Sequence, residues 1–230
     1  MAAVPWLSIE DTVTSYYFRM RVADQPGVLA DITRILADGR ISPDTIAERY
    51  RPMPTAELLS WFDGARRALV AAFAAIDPSM RVPWFGLPMS AASSLTARIM
   101  ETWAHGQDIA DALGVTRVPS ARLRHVAHIG VGARAFSYMA NGLEVPEEPV
   151  RVELTAPGGT LWTWGPDGVP NRVTGTAHDF CLLVTQRRHR DDTALHVTGP
   201  LADQWLSIAQ AFAGPPGGGR TAGQFDGGVS

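Results

Sequence analysis

The sequence predicts an α+β protein in which a helical region precedes a small mixed domain. Two stretches with helical periodicity, Thr55–Ile76 and Ser90–Gly114, predict the helical region, and a β-α fragment is expected before them. From Pro146 onward the apolar residues alternate instead, and a Pro-Gly-Gly turn at 157–159 joins two alternating runs, as in a β-hairpin. A chain of 230 residues has enough surface to bury a core as one large domain or two small ones.

The helix predicted for Ser90–Gly114 carries the pattern with the clearest chemical meaning. Glu101 and His105 are four residues apart in it, so they lie on one helical face. A carboxylate oxygen and an imidazole nitrogen at this spacing can bind one metal ion. Asp108 and Arg98 share the same face, where Asp108 can orient His105 or act as a further ligand.

The same spacing also occurs in ordinary solvated pairs near the end of a helix. On a helical wheel the pair lies nearly opposite the apolar stripe of this helix, which is formed by Leu95, Ile99, Trp103, Ala110 and Leu113. The wheel therefore predicts that Glu101 and His105 do not face the core. A metal site and a solvated ion pair both stay open at this point.

The charge composition excludes several classes of function. All 20 basic residues are Arg, so a Walker A motif and a Schiff-base mechanism, which need Lys, are excluded. A net charge of −3 gives no basic patch for nucleic acid. The dense run Arg187–Arg190 is interpreted as the cationic end of a helix, since Asp191 and Asp192 follow it at once.

The single cysteine, Cys181, excludes an internal disulfide and is typical of a reducing compartment. It lies in the apolar run DFCLLV, which favours a buried thiol over a nucleophile. The start of the chain lacks the pattern of a signal peptide, and no run approaches the roughly 20 apolar residues that span a membrane. We therefore expect a cytoplasmic protein with no membrane partner.

Capping residues and glycines predict where the helices begin and end. The expected starts are Thr55, Ser90 or Ser93, and Ser120, and the expected ends are Ile76, Gly114 and Asn141. Gly130-Val-Gly132 lies inside the third of these helices. Because no strand precedes it, it indicates close helix packing and not a dinucleotide fingerprint.

The C-terminal region is predicted as a small α+β domain at 146–213. Expected strands lie near 150–154, 161–164, 172–174 and 194–199, and expected helices at 176–188 and 201–212. Trp162 and Trp164 project to one face of their strand and are expected in the core. Residues 214–230 are rich in glycine and are expected to form a disordered tail.

The N-terminal residues follow a different pattern, a strand at Tyr16–Val22 and then a helix that ends at Gly39. Residues 1–46 resemble half of an ACT domain, notably that of homoserine dehydrogenases. The resemblance implies an amino-acid site at a dimer interface, formed by the loop residues Asp24, Pro26, Gly27, Val28 and Leu29. Only a strand and a helix of the βαββαβ order are present, so this sheet would need partners from elsewhere.

Several strings in residues 52–220 carry a second resemblance: TARIMETWAHGQDIADALG, RLRHVAHIGV, RVELTAP, TWGP, DFCLLVTQRRHRDD and QAFAGPPG. They resemble DinB-type proteins related to mycothiol-dependent maleylpyruvate isomerase. The resemblance implies a partial DinB-like helical bundle at 52–143, a zinc or other divalent metal ion, a small-molecule substrate, and mycothiol as co-substrate. In that family one His on an early helix and a later Glu-x-x-x-His bind the metal, and Glu101 and His105 match the later motif.

The early metal-binding His of that family has no counterpart, since no His precedes His105. Asp108 or His128, which stands three residues after His125, can be considered as substitutes. Two hypotheses follow: a metal- and thiol-dependent isomerase or transferase, and a non-catalytic member that has lost its metal and dimerises through the ACT-like strand. In related proteins, part of the C-terminal region is called a wyosine-base-formation domain, a name that implies a tRNA partner. The net charge of this chain argues against such a partner.

Overall fold

The structure is a computed structural model that describes residues 50–82 and 88–225. The chain divides into two compact units, Met1–Leu95 and Thr96–Ser230. The ACT-like residues 1–46, with the amino-acid-binding loop expected at 24–29, lie outside the described residues.

The described part of the first unit begins with helix α1, Thr55–Ala75. Strands β1, Arg81–Val82, and β2, Met89–Ser90, follow it and pair antiparallel. The sequence prediction that Thr55 caps α1 is wrong. Pro54 takes the N-cap position with extended backbone, and the helix starts at Thr55 without a side-chain cap.

Helix α2, Ala91–Ala112, starts and ends as its sequence predicts. The hydroxyl of Ser90 accepts a hydrogen bond from the backbone N–H of Ser93 at 3.1 Å, which caps the first turn. Gly114 has a φ of +62°, the left-handed conformation that ends many helices and that glycine adopts without strain.

The helical wheel predicted the buried face of α2 only in part: of the expected apolar stripe, Ala110 is buried and Trp103 packs against the core. The buried face within the second unit consists of small and polar residues with one methionine: Ala97, Met100, Ala104, Gln107 and Ala110. Leu113, a member of the predicted apolar stripe, is 48% exposed, and Ile109 is 51% exposed. Three of these five residues are alanines, whose small side chains allow close packing.

The predicted helix Ser120–Asn141 is two helices, α3 at Leu123–Gly132 and α4 at Arg134–Ala140. They are separated at Ala133, whose backbone leaves the helical region with φ −82° and ψ 5°. Gly132 directly precedes this break, where a glycine lowers the cost of leaving the helix. Gly130 lies against helix α5, Ala177–Val184, which confirms close packing at this glycine.

The C-terminal sheet contains four strands: β3 at Arg151–Thr155, β4 at Leu161–Trp164, β5 at Arg172–Thr176 and β6 at His196–Thr198. Their spatial order is β4-β3-β5-β6. Strands β3 and β5 are parallel, whereas the two outer pairs are antiparallel. The strands predicted from the alternating pattern are therefore present, with ends shifted by a few residues.

Helices α5 and α6, Pro200–Ile208, complete this region. The hydroxyl of Thr176 caps α5 by accepting from the backbone N–H of Asp179 at 3.0 Å. Helix α5 ends four residues earlier than the sequence predicts, so Arg187 and Arg188 follow the helix and are not its last turn.

One hydrophobic core joins the helices before residue 143 to the sheet after residue 150. It contains Met100, Leu123 and Tyr138 together with buried sheet and helix residues such as Val152, Phe180 and Trp205. Cys181 lies in the same core, as its apolar neighbours predict. The α+β class is therefore confirmed, while the DinB-like bundle and the ACT-like fragment stay predictions.

Candidate functional site

The periodicity of α2 brings Glu101, His105 and Asp108 into one row. His105 Nε2 lies 3.5 Å from Glu101 Oε2, and His105 Nδ1 lies 3.3 Å from Asp108 Oδ2. The imidazole is thus held between two carboxylates, with 17% of its side chain exposed. These three candidates from the sequence are together in the structure.

Asp108 is the most heavily bonded member of the row. Arg187 Nε and Nη2 donate to its two oxygens at 3.1 and 2.7 Å, a bidentate pair. Arg220 Nη2 donates to Oδ1 at 3.1 Å. The carboxylate is only 8% exposed, so it binds His105 and two guanidinium groups away from bulk water.

A second bidentate pair lies one helical turn further along α2. Arg188 donates to both oxygens of Asp111 at 2.7 and 2.8 Å, and Gln107 Nε2 donates to Asp111 Oδ1 at 2.8 Å. Two adjacent arginines after α5 therefore bind two aspartates three residues apart on α2.

The two carboxylates fix the charge of His105. They raise its pKa to about 9, mainly through the hydrogen bond with Asp108 and then that with Glu101, against the opposing effect of burial. Burial by itself would raise the pKa of Asp108, but hydrogen bonds from His105 and Arg187 outweigh it and lower that pKa to about 2. At neutral pH His105 is therefore an imidazolium and Asp108 a carboxylate.

The Glu101 and His105 pair has the spacing of two metal ligands. Ligand atoms about 2.0–2.1 Å from a tetrahedral zinc ion lie roughly 3.4 Å apart, close to the observed separation of Oε2 and Nε2. Among residues 50–82 and 88–225, no group of three or more His, Cys, Asp and Glu side chains is arranged to hold a metal ion. The described residues thus supply two donors, and the proton on His105 must leave before a metal binds.

His125 and His128 lie on the exposed side of α3. His128 Nδ1 accepts from Trp164 Nε1 at 3.3 Å, so its imidazole is bound to the sheet. The structure does not bring His128 into a metal-binding group with Glu101 and His105 within the residues that it describes.

The sequence did not predict the arginine side of the site, which consists of Arg187, Arg188 and Arg220. Its charge pattern predicted a helix end at Arg187 and Arg188 and indicated no contact for Arg220. The available signal was the match between an Asp-x-x-Asp spacing on α2 and an Arg-Arg pair, each able to form bidentate bonds. The Gly-rich residues 214–225 also reach this site, and the disorder predicted for 214–230 stays a prediction.

A family model supports the class of protein that the Glu-x-x-x-His helix suggested. Over residues 14–110 the chain is similar to the mycothiol maleylpyruvate isomerase N-terminal domain. It is also similar to uncharacterized proteins of two Mycobacterium tuberculosis strains, CDC 1551 and H37Rv. Each is 47% identical over 199 residues, which cover 86% of this chain and 77% of the relative.

Two further matches concern smaller parts of the chain. Residues 146–198 match a family model described as wyosine base formation. A homoserine dehydrogenase of Methylobacillus glycogenes is 48% identical over 46 residues, which are 20% of this chain and 11% of that enzyme. The resemblance to this enzyme is thus partial, and the ACT-like fold stays a prediction.

No solved structure matches the chain significantly. Within the described ranges 50–82 and 88–225, every helix is too short or too polar to cross a bilayer.

Proposed function

We propose that this chain binds a divalent metal ion through Glu101 and His105 and acts on a small molecule together with a low-molecular-weight thiol of the mycothiol type. The reaction class is an isomerisation or a group transfer. Support for the thiol comes from the family of residues 14–110. Support for the metal comes from the site, and the observation that carries the proposal is the separation of 3.5 Å between Glu101 Oε2 and His105 Nε2.

Asp108 has the role of holding His105 in place. It accepts from Nδ1, which leaves Nε2 directed toward Glu101. A carboxylate on the far nitrogen of a ligating histidine fixes the ring and raises its basicity. Arg187 holds Asp108 in turn through its bidentate pair, so the orientation of His105 is set by two successive contacts.

The sequence restricts what the remaining ligands can be. No His precedes His105, and the thiol of the single cysteine, Cys181, is buried in the core. The further ligands would therefore be carboxylates or other oxygen donors. A set of one nitrogen and two or more oxygens is compatible with zinc, manganese or iron. The proposal is therefore a divalent metal ion, and the metal analysis identifies which one is bound.

A divalent ion bound there would supply a Lewis acid that polarises a carbonyl group or lowers the pKa of a bound thiol. The residues of this chain would bind the ion and orient its ligands. Glu101 and His105 would hold the ion, and Asp108 would keep the His105 ring from rotating. The charges of Arg187 and Arg220 would keep Asp108 ionised.

The test is the metal content of protein purified without a histidine tag, measured by elemental mass spectrometry. We expect about one divalent ion per chain in the wild type and a loss of most of it in His105→Ala, because one of the two described donors is gone. His128→Ala is the matched control, since this exposed imidazole contacts Trp164 and should leave the metal content unchanged.

Metal in the wild type that is lost in His105→Ala would justify a search for thiol-dependent isomerisation and transfer. An equal metal content in both proteins would place any metal elsewhere and end the proposal. A wild type without metal, even after incubation with zinc, manganese and iron salts, would also end it.

The second candidate is a non-catalytic member of the family. The observation that favours it is the row of Glu101, His105 and Asp108. A protonated His105 forms ion pairs with both carboxylates, so this arrangement needs no metal. This candidate predicts that His105→Gln loses folding stability and that metal salts do not protect the wild type against heat. The metal-dependent candidate predicts such protection.

A further inference from the structure

The segment Gly214–Phe225, here named the strap, lies against the arginine side of the site. Its start is fixed by Gln210 Nε2, which donates to the carbonyl of Gly214 at 2.9 Å. Near its end the backbone N–H of Gly223 donates to Asp192 Oδ1 at 2.8 Å. Between these two points the strap contains no helix or strand.

Two side chains of the strap contact the site directly. Arg220 donates to Asp108 Oδ1 at 3.1 Å. The ring of Phe225 lies over the guanidinium of Arg188, with 3.9 Å between the ring centroid and Cζ, and Arg220 lies 5.6 Å from the same centroid. The strap therefore covers a face of both bidentate pairs.

We propose that the strap is a releasable cover of this site. Its contacts are peripheral to the bonds that hold the site together. Without Arg220, Asp108 still has the bidentate pair with Arg187 and the contact with His105. Without Phe225, Arg188 still has its bidentate pair with Asp111. Release of the strap leaves the row on α2 intact.

The composition of the strap also favours release. Glycines at 214, 219 and 223 have positive φ values of 123°, 65° and 72°, so the observed path depends on residues that lose the most freedom on ordering. The side chain of Arg220 is 32% exposed, so solvent screens its ion pair. The open strap thus regains much conformational entropy.

Release would open the guanidinium face of Arg188 and one side of the Asp108 carboxylate. A flat or anionic group of a small-molecule substrate could then contact Arg188 where Phe225 lies in the closed form. That the cover controls access of a substrate rests on the proposed function. The release itself does not, and it is measured without metal, thiol or substrate.

Limited proteolysis by trypsin measures the release, because cleavage after Arg220 removes a peptide of ten residues, 221–230. In Phe225→Ala the cation–π contact is lost while the cleavage site stays. We expect cleavage after Arg220 to be about two- to fivefold faster in this variant than in the wild type. Leu161→Ala is the control, since it removes an exposed apolar side chain from β4 and should cleave like the wild type.

A second variant tests the contact between Arg220 and Asp108. In Arg220→Gln this ion pair is lost, and chymotrypsin cleavage after Phe225 should accelerate by a similar factor.

Reaction with phenylglyoxal, which modifies exposed arginines, tests whether the strap covers Arg188. The modified arginines are identified by peptide mass spectrometry. We expect Arg188 to react faster in Phe225→Ala than in the wild type, with Arg190 as an internal reference bound to Asp203 and not to the strap.

Equal cleavage of the wild type and both variants would overturn the proposal, because the strap would then not be held by these contacts. Faster cleavage with unchanged modification of Arg188 would overturn it as well, since the strap would open without covering anything. Neither result would affect the metal analysis of His105→Ala, so the two proposals fail separately.

Discussion

Arg188 and Asp111 form a bidentate ion pair of 2.7 and 2.8 Å in which both side chains are largely buried, with 17% and 9% of their surfaces exposed. The pair joins the segment after α5 to the last turn of α2, beside the similar pair of Arg187 and Asp108. The geometry of the candidate site therefore depends on contacts 77 and 79 residues apart in the chain.

Loss of one partner of this pair should destabilise the fold. In Asp111→Asn the Arg188 guanidinium keeps its burial and loses its counter-charge, so we expect the free energy of unfolding to fall by about 3 kcal/mol. Urea denaturation measures this change. The control is Asp63→Asn, which disrupts exposed pairs with Arg66 and Arg67 and should change stability little. Similar losses in the two variants would contradict the special role of the buried pair.

The charge state of His105 should make folding stability depend on pH. Because the pKa is raised from 6.5 to about 9, the contribution of protonated His105 is fully present below about pH 6.5 and is lost as the pH rises through 9. Solvent screening at this partly exposed group reduces the effect to about 1–2 kcal/mol. Urea unfolding of the metal-free protein at about pH 6 and about pH 9.5 measures it.

His105→Gln is the control for this pH dependence, since glutamine keeps a polar side chain without the titration. The variant should lose most of the difference in stability between the two pH values. A wild type whose stability rises over this range, or a variant with the same profile as the wild type, would argue against an imidazolium between the two carboxylates.

Adding a methyl group at Gly130 should lower folding stability. A Cβ at Gly130 would lie 2.7 Å from Val184 Cγ2 and 3.1 Å from Phe180 Cε1, so these buried side chains or the helix that carries them would have to shift. We expect Gly130→Ala to lose about 1–3 kcal/mol of stability. Gly132→Ala is the matched control in the same helix, because a Cβ there meets no atom within 4 Å. It should unfold like the wild type or be slightly more stable.

The ACT-like reading of residues 1–46 leads to a separate prediction. If the loop at Asp24–Leu29 binds an amino acid, the melting temperature should rise with the concentration of that amino acid. A thermal-shift screen of the proteinogenic amino acids measures this. The absence of a shift with all of them would remove the amino-acid-binding hypothesis.

Local signals in the sequence predicted the local structure well. The Ser90 cap, the Gly114 end and the hairpin around 157–159 depend on interactions within a few residues, and all are present, whereas the cap predicted at Thr55 is not. The row of Glu101, His105 and Asp108 was predicted for the same reason, since helical periodicity fixes which side chains are neighbours.

The features that were not predicted from the sequence depend on tertiary packing. The buried face of α2 contains alanines, a methionine and a glutamine, and the hydrophobicity pattern identified only Ala110 among them. The arginines that hold Asp108 and Asp111 come from residues 187–220, and only the folded chain shows which charges meet. The break at Ala133 was also missed, although Gly132 directly before it is a local signal for it.

The buried thiol of Cys181 has a practical consequence. Its Sγ lies 3.5 Å from the carbonyl of Leu123, and burial raises its pKa, so it reacts slowly with maleimides. It is also the single cysteine of the chain. A cysteine introduced on the strap would therefore be the fast-reacting thiol, and a fluorophore or spin label could be attached there without first replacing a native residue.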